Sequence, residues 1–576
     1  MRLFRKISFI LALLAIIGMI SFAVIGKHFD RQIENSKNRL LNGSFTALCG
    51  DGSHDIKPFF DGEACYLFLP QYTESLRFSF NAHHALIDGK EYCSGDALEL
   101  QPLEGKHLFG FVNDNGEEFE KESMEIILSG DIPSVFIDSG SGRYLENGDK
   151  SYKEYCGIEI VNPDGTAEYR SINRWSDKIR GRGNTSWRGS SVTDPMAKNA
   201  YNLYLNRSAD LFGMGASKEW VLLANLFDKS NIRNKFVYDL AARIGLEYSP
   251  ESVFADVYID NEYRGVYQLC EKIQVGKERV DIGSQGILFS MEAKNRLTGK
   301  PEEITTAHGQ TLVRVFPTVN YEKSENVFSA RTEAFENVLF SDFTLEEIGE
   351  FIDIDSWAKI GVLEELFADY DAWKTSQYFY IKSEDGKIYA GPIWDFDNSS
   401  GNRMTDAHPH KSAVDNILIF RSDNDGAGDM QLWFYRLMRN ADFYDYVCDL
   451  YSRSIYPYLE KNTDEIVKEY YRRLGSSHRM NCLRWGFEMN DADVFKAFVR
   501  KRLDFLKRIW IDKEPYCLVT YEATGMSMGY FENEVCPADV YFYTWFFDKE
   551  RTEPTGPFVP EHDTVLYAEV EEPMPR

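Results

Sequence analysis

The chain has no C-x-x-C pair among its nine cysteines, which lie scattered as Cys49, Cys65, Cys93, Cys156, Cys270, Cys448, Cys482, Cys517 and Cys536. A structural zinc site needs paired thiols, so the spacing argues against one. An odd count cannot pair completely within one chain, and spacing leaves the pairing open. Positive charge is also in deficit. Against 91 Asp and Glu stand 64 Lys and Arg, a net charge of −27, which argues against nucleic acid and anionic membrane surfaces as partners and favours divalent cations. Long apolar runs are missing beyond residue 25.

The single long run sets the expected compartment. Arg2, Arg5 and Lys6 precede an uncharged stretch from Ile7 to Ile25, and Lys27, His28 and Asp30 end it. At about 1.5 Å per residue it would reach about 28 Å, nearly the thickness of a bilayer core. Ser21-Phe22-Ala23 also offers small residues for cleavage after Ala23. Residues 1–30 are read as a signal anchor, with a cleaved signal peptide as the alternative. Either places the rest of the chain outside the cytoplasm, anchored to the membrane through its N-terminus or secreted.

Three regions follow. Residues 41–132 alternate short strands with turns, as in Cys65–Leu69, Leu76–Phe80 and Met124–Leu128, a β-sandwich pattern with no cluster of catalytic groups. Residues 133–512 alternate strands and helices. Residues 513–576 return to strands and read as a separate small β module. The expected class is α+β.

The middle region carries the chemistry. Arg180-Gly181-Arg182-Gly183-Asn184-Thr185-Ser186-Trp187 combines glycines, which let a backbone approach a ligand, with guanidinium groups suited to phosphate. It is not a Walker loop, and a plain turn is the alternative. Ile232, Phe236 and Leu240 recur every four residues and predict a helix stopped by Gly245, with Arg233 and Lys235 near its start, where the dipole favours anions. A second helix through Val494, Phe498, Leu503 and Leu506 carries Arg500, Lys501, Arg502, Lys507 and Arg508, expected on a solvated face. The acidic stretch from Asp423 to Asp429 lacks the terminal acid of a calcium loop, since Phe434 stands there, and reads as an acidic loop.

Ile393-Trp394-Asp395-Phe396-Asp397 delivers two carboxylates, two residues apart, into a turn ending at Gly401. Such a pair suits a hard divalent cation. Asp369-Tyr370-Asp371 lies upstream, before the aromatic strand Tyr378-Phe379-Tyr380-Ile381. This order of acid, strand, turn, strand and metal acids is that of the catalytic half of protein-kinase-like folds. A β-hairpin whose acids only cap turns is the alternative.

Six motifs then carry a resemblance. They are Arg180–Trp187, Trp220–Ser230, Arg233-Asn234-Lys235, Glu262–Tyr267, Asp371-Ala372-Trp373-Lys374 and Gly391–Asp397. In this order they resemble the spore coat protein H (CotH) kinase family of atypical, secreted bacterial protein kinases. The resemblance implies a two-lobed, protein-kinase-like core at residues 133–512 that uses ATP with Mg²⁺ (or Mn²⁺ or Ca²⁺) to phosphorylate Ser or Thr of a protein at the cell surface. It implies Asp371 as the catalytic acid and Asp395, with Asp397 as helper, as metal ligands. Arg180, Arg182, Asn184, Ser186, Lys198, Arg233 and Lys235 become candidates for phosphate contacts. Glu271, at a strand end, would pair with a lysine or hold a second metal.

Two positions depart from the family pattern. Tyr204 stands where a second lysine is frequent, and Ser376-Gln377 where asparagine is frequent after the catalytic acid. They support an alternative in which the fold is a pseudokinase scaffold of a binding or adhesion protein. At the C-terminus, Phe542–Asp548 and Asp563–Val570 resemble a Listeria–Bacteroides repeat, which implies an interaction or spacer module.

Overall fold

The computed structural model describes residues 43–49, 52–139, 152–183, 198–317, 321–369, 371, 375–383, 386–402, 413–418, 432–489, 491–523, 526–537 and 544–568. The apolar run 7–25, Asn184, Ser186 and the acidic loop 423–429 lie outside them. Strands and helices are mixed along the described chain.

The first ten strands are β1 (Ser44–Cys49), β2 (Gly52–Ile56), β3 (Phe59–Phe60), β4 (Cys65–Leu69), β5 (Ser75–Ser79), β6 (His84–Ile87), β7 (Lys90–Tyr92), β8 (Ala97–Leu98), β9 (Gly105–Val112) and β10 (Glu118–Leu128). They form two sheets, ordered β2-β1-β5-β8 and β3-β4-β10-β9-β6-β7. Alternation turns Leu76 and Phe78 of β5 inward and Arg77 outward. Phe45 stacks on Phe78 at 4.2 Å, and Phe109 of the other sheet meets Phe78 edge-on at 5.7 Å, so one aromatic core joins both sheets.

Next come β11 (Ser134–Ser139), β12 (Glu154–Val161), β13 (Ala167–Arg170), β14 (Asp177–Arg182), β15 (Ala200–Asp210) and β16 (Ala216–Leu223). Helix α1 (Arg233–Arg243) separates these from the hairpin β17 (Ser252–Ile259) and β18 (Glu262–Glu271). The sheet order is β11-β17-β18-β16-β15-β14-β12-β13, and β11 also pairs with β12. Seven strands therefore close into a barrel, with β13 appended, and closure removes exposed edges. Ile158, Ile179, Leu203, Trp220, Leu222, Val257 and Leu269 fill its interior. The strand period of two then points Lys178, Arg180 and Arg182 of β14 to the outer face. On that same outer side, Val221, Leu223, Phe254 and Val266 share a core with Phe236, Val237 and Leu240 of α1.

The second half is built on β19 (Ile287–Met291), β20 (Glu303–Thr305), β21 (Thr311–Phe316), β22 (Tyr378–Ile381) and β23 (Ile388–Ala390), ordered β20-β21-β19-β22-β23. Helices α2 (Tyr321–Leu339), α3 (Leu345–Gly349) and α4 (Ile354–Phe367) lie between β21 and β22. Asp353 caps α4 by accepting from Ser356 N at 2.8 Å. Trp357 buries the helix against Phe379 and Phe434. Ala368, left-handed at φ 45°, ends α4 and turns the chain into the Asp369–Asp371 segment.

Helices α5 (Leu432–Met438), α6 (Ala441–Leu450), α7 (Tyr456–Leu474), α8 (Ser476–Trp485) and α9 (Asp491–Leu506) complete this half. One expectation is corrected on α9. Arg502 is not on a solvated face but fully buried, with Nη2 on Glu365 Oε1 at 2.8 Å and Nη1 on the Asn416 carbonyl at 2.6 Å. A guanidinium donates five hydrogen bonds, so it can be buried where carbonyls and a carboxylate converge. The last strands, β24 (Tyr516–Tyr521), β25 (Met526–Phe531), β26 (Trp545–Phe546) and β27 (Thr564–Ala568), form a sheet ordered β25-β24-β27-β26. Val519, Met528 and Leu566 belong to the same apolar core as Leu503 and Leu506, and Phe531 meets Phe505 at 5.7 Å. These strands share the core of the helical part. Cys65, Cys93, Cys156, Cys270, Cys448, Cys482, Cys517 and Cys536 are free thiols.

Candidate active site

A cavity of about 300 Å³ opens between the barrel, α1 and the second half. Arg182 enters it from the end of β14, Asp371 from the segment after α4, and Asp395 and Asp397 from the turn after β23. Four residues from three segments far apart in sequence thus meet.

Helix α1 holds the acidic turn in place. Phe396 N donates to Asn234 Oδ1 at 2.7 Å, and Asp395 N donates to the Tyr238 hydroxyl at 3.2 Å. The Tyr238 ring also stacks on Trp394 at 5.9 Å. Asn234 is fixed in turn by its Nδ2 on Asn225 Oδ1 at 3.1 Å. From the other side Ser376 Oγ reaches Asp395 Oδ2. Asp371 N donates to Asp369 Oδ1 at 3.1 Å, and Gln377 Nε2 donates to Glu364 Oε1 at 2.9 Å. Behind Asp371 therefore lies a buried pair of carboxyl groups, Glu364 and Asp369.

Crowded carboxylates raise one another's pKa. Burial lifts Asp395 above the usual range, the nearby Asp371 charge adds to this, and Ser376, Arg182 and Arg296 oppose it. Asp397 is lifted further, by burial and by Asp395, Asp228 and Asp371. Burial also pushes Glu364 up to about 8 and raises Asp369 well beyond its ordinary range. Such a site favours a cation that would relieve the repulsion. Oxygen donors alone face the cavity at Asp395 and Asp397, which suits Mg²⁺ better than a thiol-seeking metal. Among the described residues no three His, Cys, Asp or Glu groups converge closely enough to enclose a metal.

The remaining sequence-derived candidates separate. Arg180 points outward on β14 beside Arg182. Asn184 and Ser186 lie outside the described residues. Two expected phosphate contacts, Arg233 and Lys198, are corrected. Arg233 is fully buried, with Nη1 on Asp228 at 2.5 Å and on Asp491 at 2.6 Å, so its charge is already neutralised. Lys198 is buried with Nζ on the Val266 carbonyl at 2.6 Å, and burial lowers its pKa to about 7. Lys235 pairs with Asp239 at 2.8 Å, one turn along α1. Glu271 pairs with Arg279 at 2.6 Å, not with a lysine. It lines a different cavity of about 400 Å³ that also includes Glu251 and Arg279 but none of the acids Asp371, Asp395 and Asp397.

Sequence reasoning missed one part of the cavity wall. Glu292, just after β19, accepts from Thr375 Oγ1 at 2.6 Å, and Arg296 Nη1 donates to Thr375 Oγ1 at 3.0 Å. The available signal was the acid-then-base run Glu292-Ala293-Lys294-Asn295-Arg296 directly after an apolar strand. Nothing in the sequence placed it opposite Asp371.

The model of the family described as "CotH kinase protein" matches residues 179–506. Among solved structures, the chain is similar to the Helicobacter pylori proinflammatory kinase CtkA, with 9% identity and a TM-score of 0.22, over 55% of this chain and 94% of that one. No curated protein matches the chain.

Proposed function

The chain belongs to the CotH kinase protein family, whose model spans more than half of its length, and on that premise we propose that it transfers the γ-phosphoryl group of ATP to a Ser or Thr hydroxyl of a protein outside the cytoplasm. The observation that carries this reading is the convergence of Asp371, Asp395, Asp397 and Arg182 on one cavity. Phosphoryl transfer asks for positioning and charge neutralisation more than for covalent chemistry by the protein.

Asp395 and Asp397 would hold a divalent cation, which when bound would neutralise charge on the nucleotide phosphates. Asp371 would accept or orient the proton of the incoming hydroxyl. Its backbone N–H donates to Asp369 Oδ1, which holds the segment that carries it. Arg182 stands over the Trp394 ring at 5.1 Å and supplies positive charge beside Asp395. The apolar run 7–25 supports export and anchoring; among the described residues no helix is long and apolar enough to cross a membrane.

The test is purified protein with labelled ATP and Mg²⁺ or Mn²⁺. Metal-dependent labelling of the protein itself or of an added acceptor is expected. A wild type that binds neither nucleotide nor metal would replace the kinase reading with the scaffold one.

A further inference from the structure

Four cations on the outer face of the barrel have no carboxylate partner within ion-pair distance among the described residues: Lys153, Lys178, Arg180 and Arg182. The last three alternate along β14, so they repeat at about 6.6 Å and extend about 13 Å from the acid cluster. Lys153, just before β12, lies close to them: burial lowers its pKa most, Glu219 opposes this, and Arg180, Lys272 and Lys178 lower it further.

Aromatic rings position these cations. Lys153 Nζ is 3.6 Å from the centre of the Tyr204 ring, which Arg180 also faces at 5.9 Å. Lys178 stands over Tyr155 at 4.4 Å and Arg182 over Trp394 at 5.1 Å. Lys272 joins at 5.9 Å from Tyr204, already paired with Glu219. A ring fixes a cation without cancelling its charge, whereas a carboxylate cancels it. Arg180 Nε is moreover buried without a hydrogen-bond partner, a group that remains unfavourable until an acceptor arrives. In a chain of net charge −27, such a local excess of positive charge calls for an anion.

The strip begins beside Asp395 and runs in one direction, so its ligand carries several negative charges in a row. We propose that Arg182, Arg180, Lys178 and Lys153 bind an oligophosphate chain laid along β14, supplied by a nucleoside triphosphate or by free inorganic oligophosphate. Only the nucleotide source rests on the kinase reading above.

The experiment is calorimetric titration of the full-length protein with inorganic tripolyphosphate and, separately, with orthophosphate, without turnover. Tripolyphosphate should bind and orthophosphate should bind far more weakly. Lys153→Ala, Lys178→Ala and Arg180→Ala should each weaken tripolyphosphate about tenfold or more. Arg180→Lys should weaken it less than Arg180→Ala does. The two lysine variants lie at the surface and should melt with the wild type, so a folding defect cannot mimic the result. ATP competing with tripolyphosphate identifies the nucleotide as the source, and simultaneous binding identifies the free chain; either upholds the strip. Unchanged tripolyphosphate affinity in the Lys153→Ala/Lys178→Ala double variant, or none in the wild type, overturns it. Failure of the wild type to transfer phosphate would sink the kinase reading alone.

Discussion

Ser376 Oγ donates to Asp395 Oδ2 over 2.7 Å, tying the segment that carries Asp371 to the turn that carries the proposed metal acids. Both residues hold left-handed backbone, at φ 60° and 75°. That conformation is unfavourable for a residue with a side chain and persists where the surroundings over-determine it. Here Tyr238 and Asn234 of α1 clamp the turn from one side while Ser376 holds it from the other.

Asp395→Asn should therefore fold normally, because asparagine tolerates the left-handed region and keeps the side-chain shape. It should lose metal-dependent nucleotide binding with the lost charge. Calorimetry that finds wild-type nucleotide affinity in this variant would remove Asp395 from the metal site.

Asp371→Asn should separate binding from turnover. ATP and metal affinity should stay near the wild-type value, while transfer falls about 10²- to 10⁴-fold, the usual range for a lost general base. Steady-state kinetics beside calorimetry checks both halves. Transfer that survives without Asp371 would move the catalytic role elsewhere, with Asp369 next to be tested.

Arg233→Ala should act on stability and not on nucleotide affinity. Removing one partner of a buried ion pair leaves Asp228 and Asp491 uncompensated, at a cost of about 3–5 kcal/mol. Denaturant unfolding measures the loss. A variant of wild-type stability with weakened ATP binding would restore Arg233 to the phosphate site.

The Glu364–Asp369 pair makes stability depend on pH. Burial raises Glu364 from an ordinary 4.5 to about 8, so its protonated form is favoured in the folded state. That contribution is complete below about 4.5 and is lost as pH rises through about 8. Melting temperature should fall across this window, and Glu364→Gln should flatten the fall. A wild-type melting temperature that rises from acidic pH to pH 8 in parallel with Glu364→Gln would refute the assignment.

Some of this was legible in the residues. The four-residue spacing of Ile232, Phe236 and Leu240 located α1, and the alternation of Leu76 and Phe78 located a half-buried strand, because both periods follow from local backbone geometry. Asp395-Phe396-Asp397 announced an acidic turn by itself. What misled was charge. Arg233, Lys198 and Arg502 look in sequence like any solvent-facing or ligand-seeking cations, and only long-range neighbours show where each is spent. Asp491 lies 258 residues from Arg233, and Glu365 lies 137 from Arg502.

By itself the sequence determined an acidic α+β chain, the motif order that marks its family, and an acidic turn at Asp395 and Asp397. Tertiary structure decided which charges remain available. Closure of the barrel turned alternate residues of β14 outward, so Arg180 and Arg182 kept their charge free while Lys198 was buried on the Val266 carbonyl. Local pattern sets which side chains share a face; only packing sets what that face meets, because the meeting groups come from segments whose separation no short-range rule can bridge.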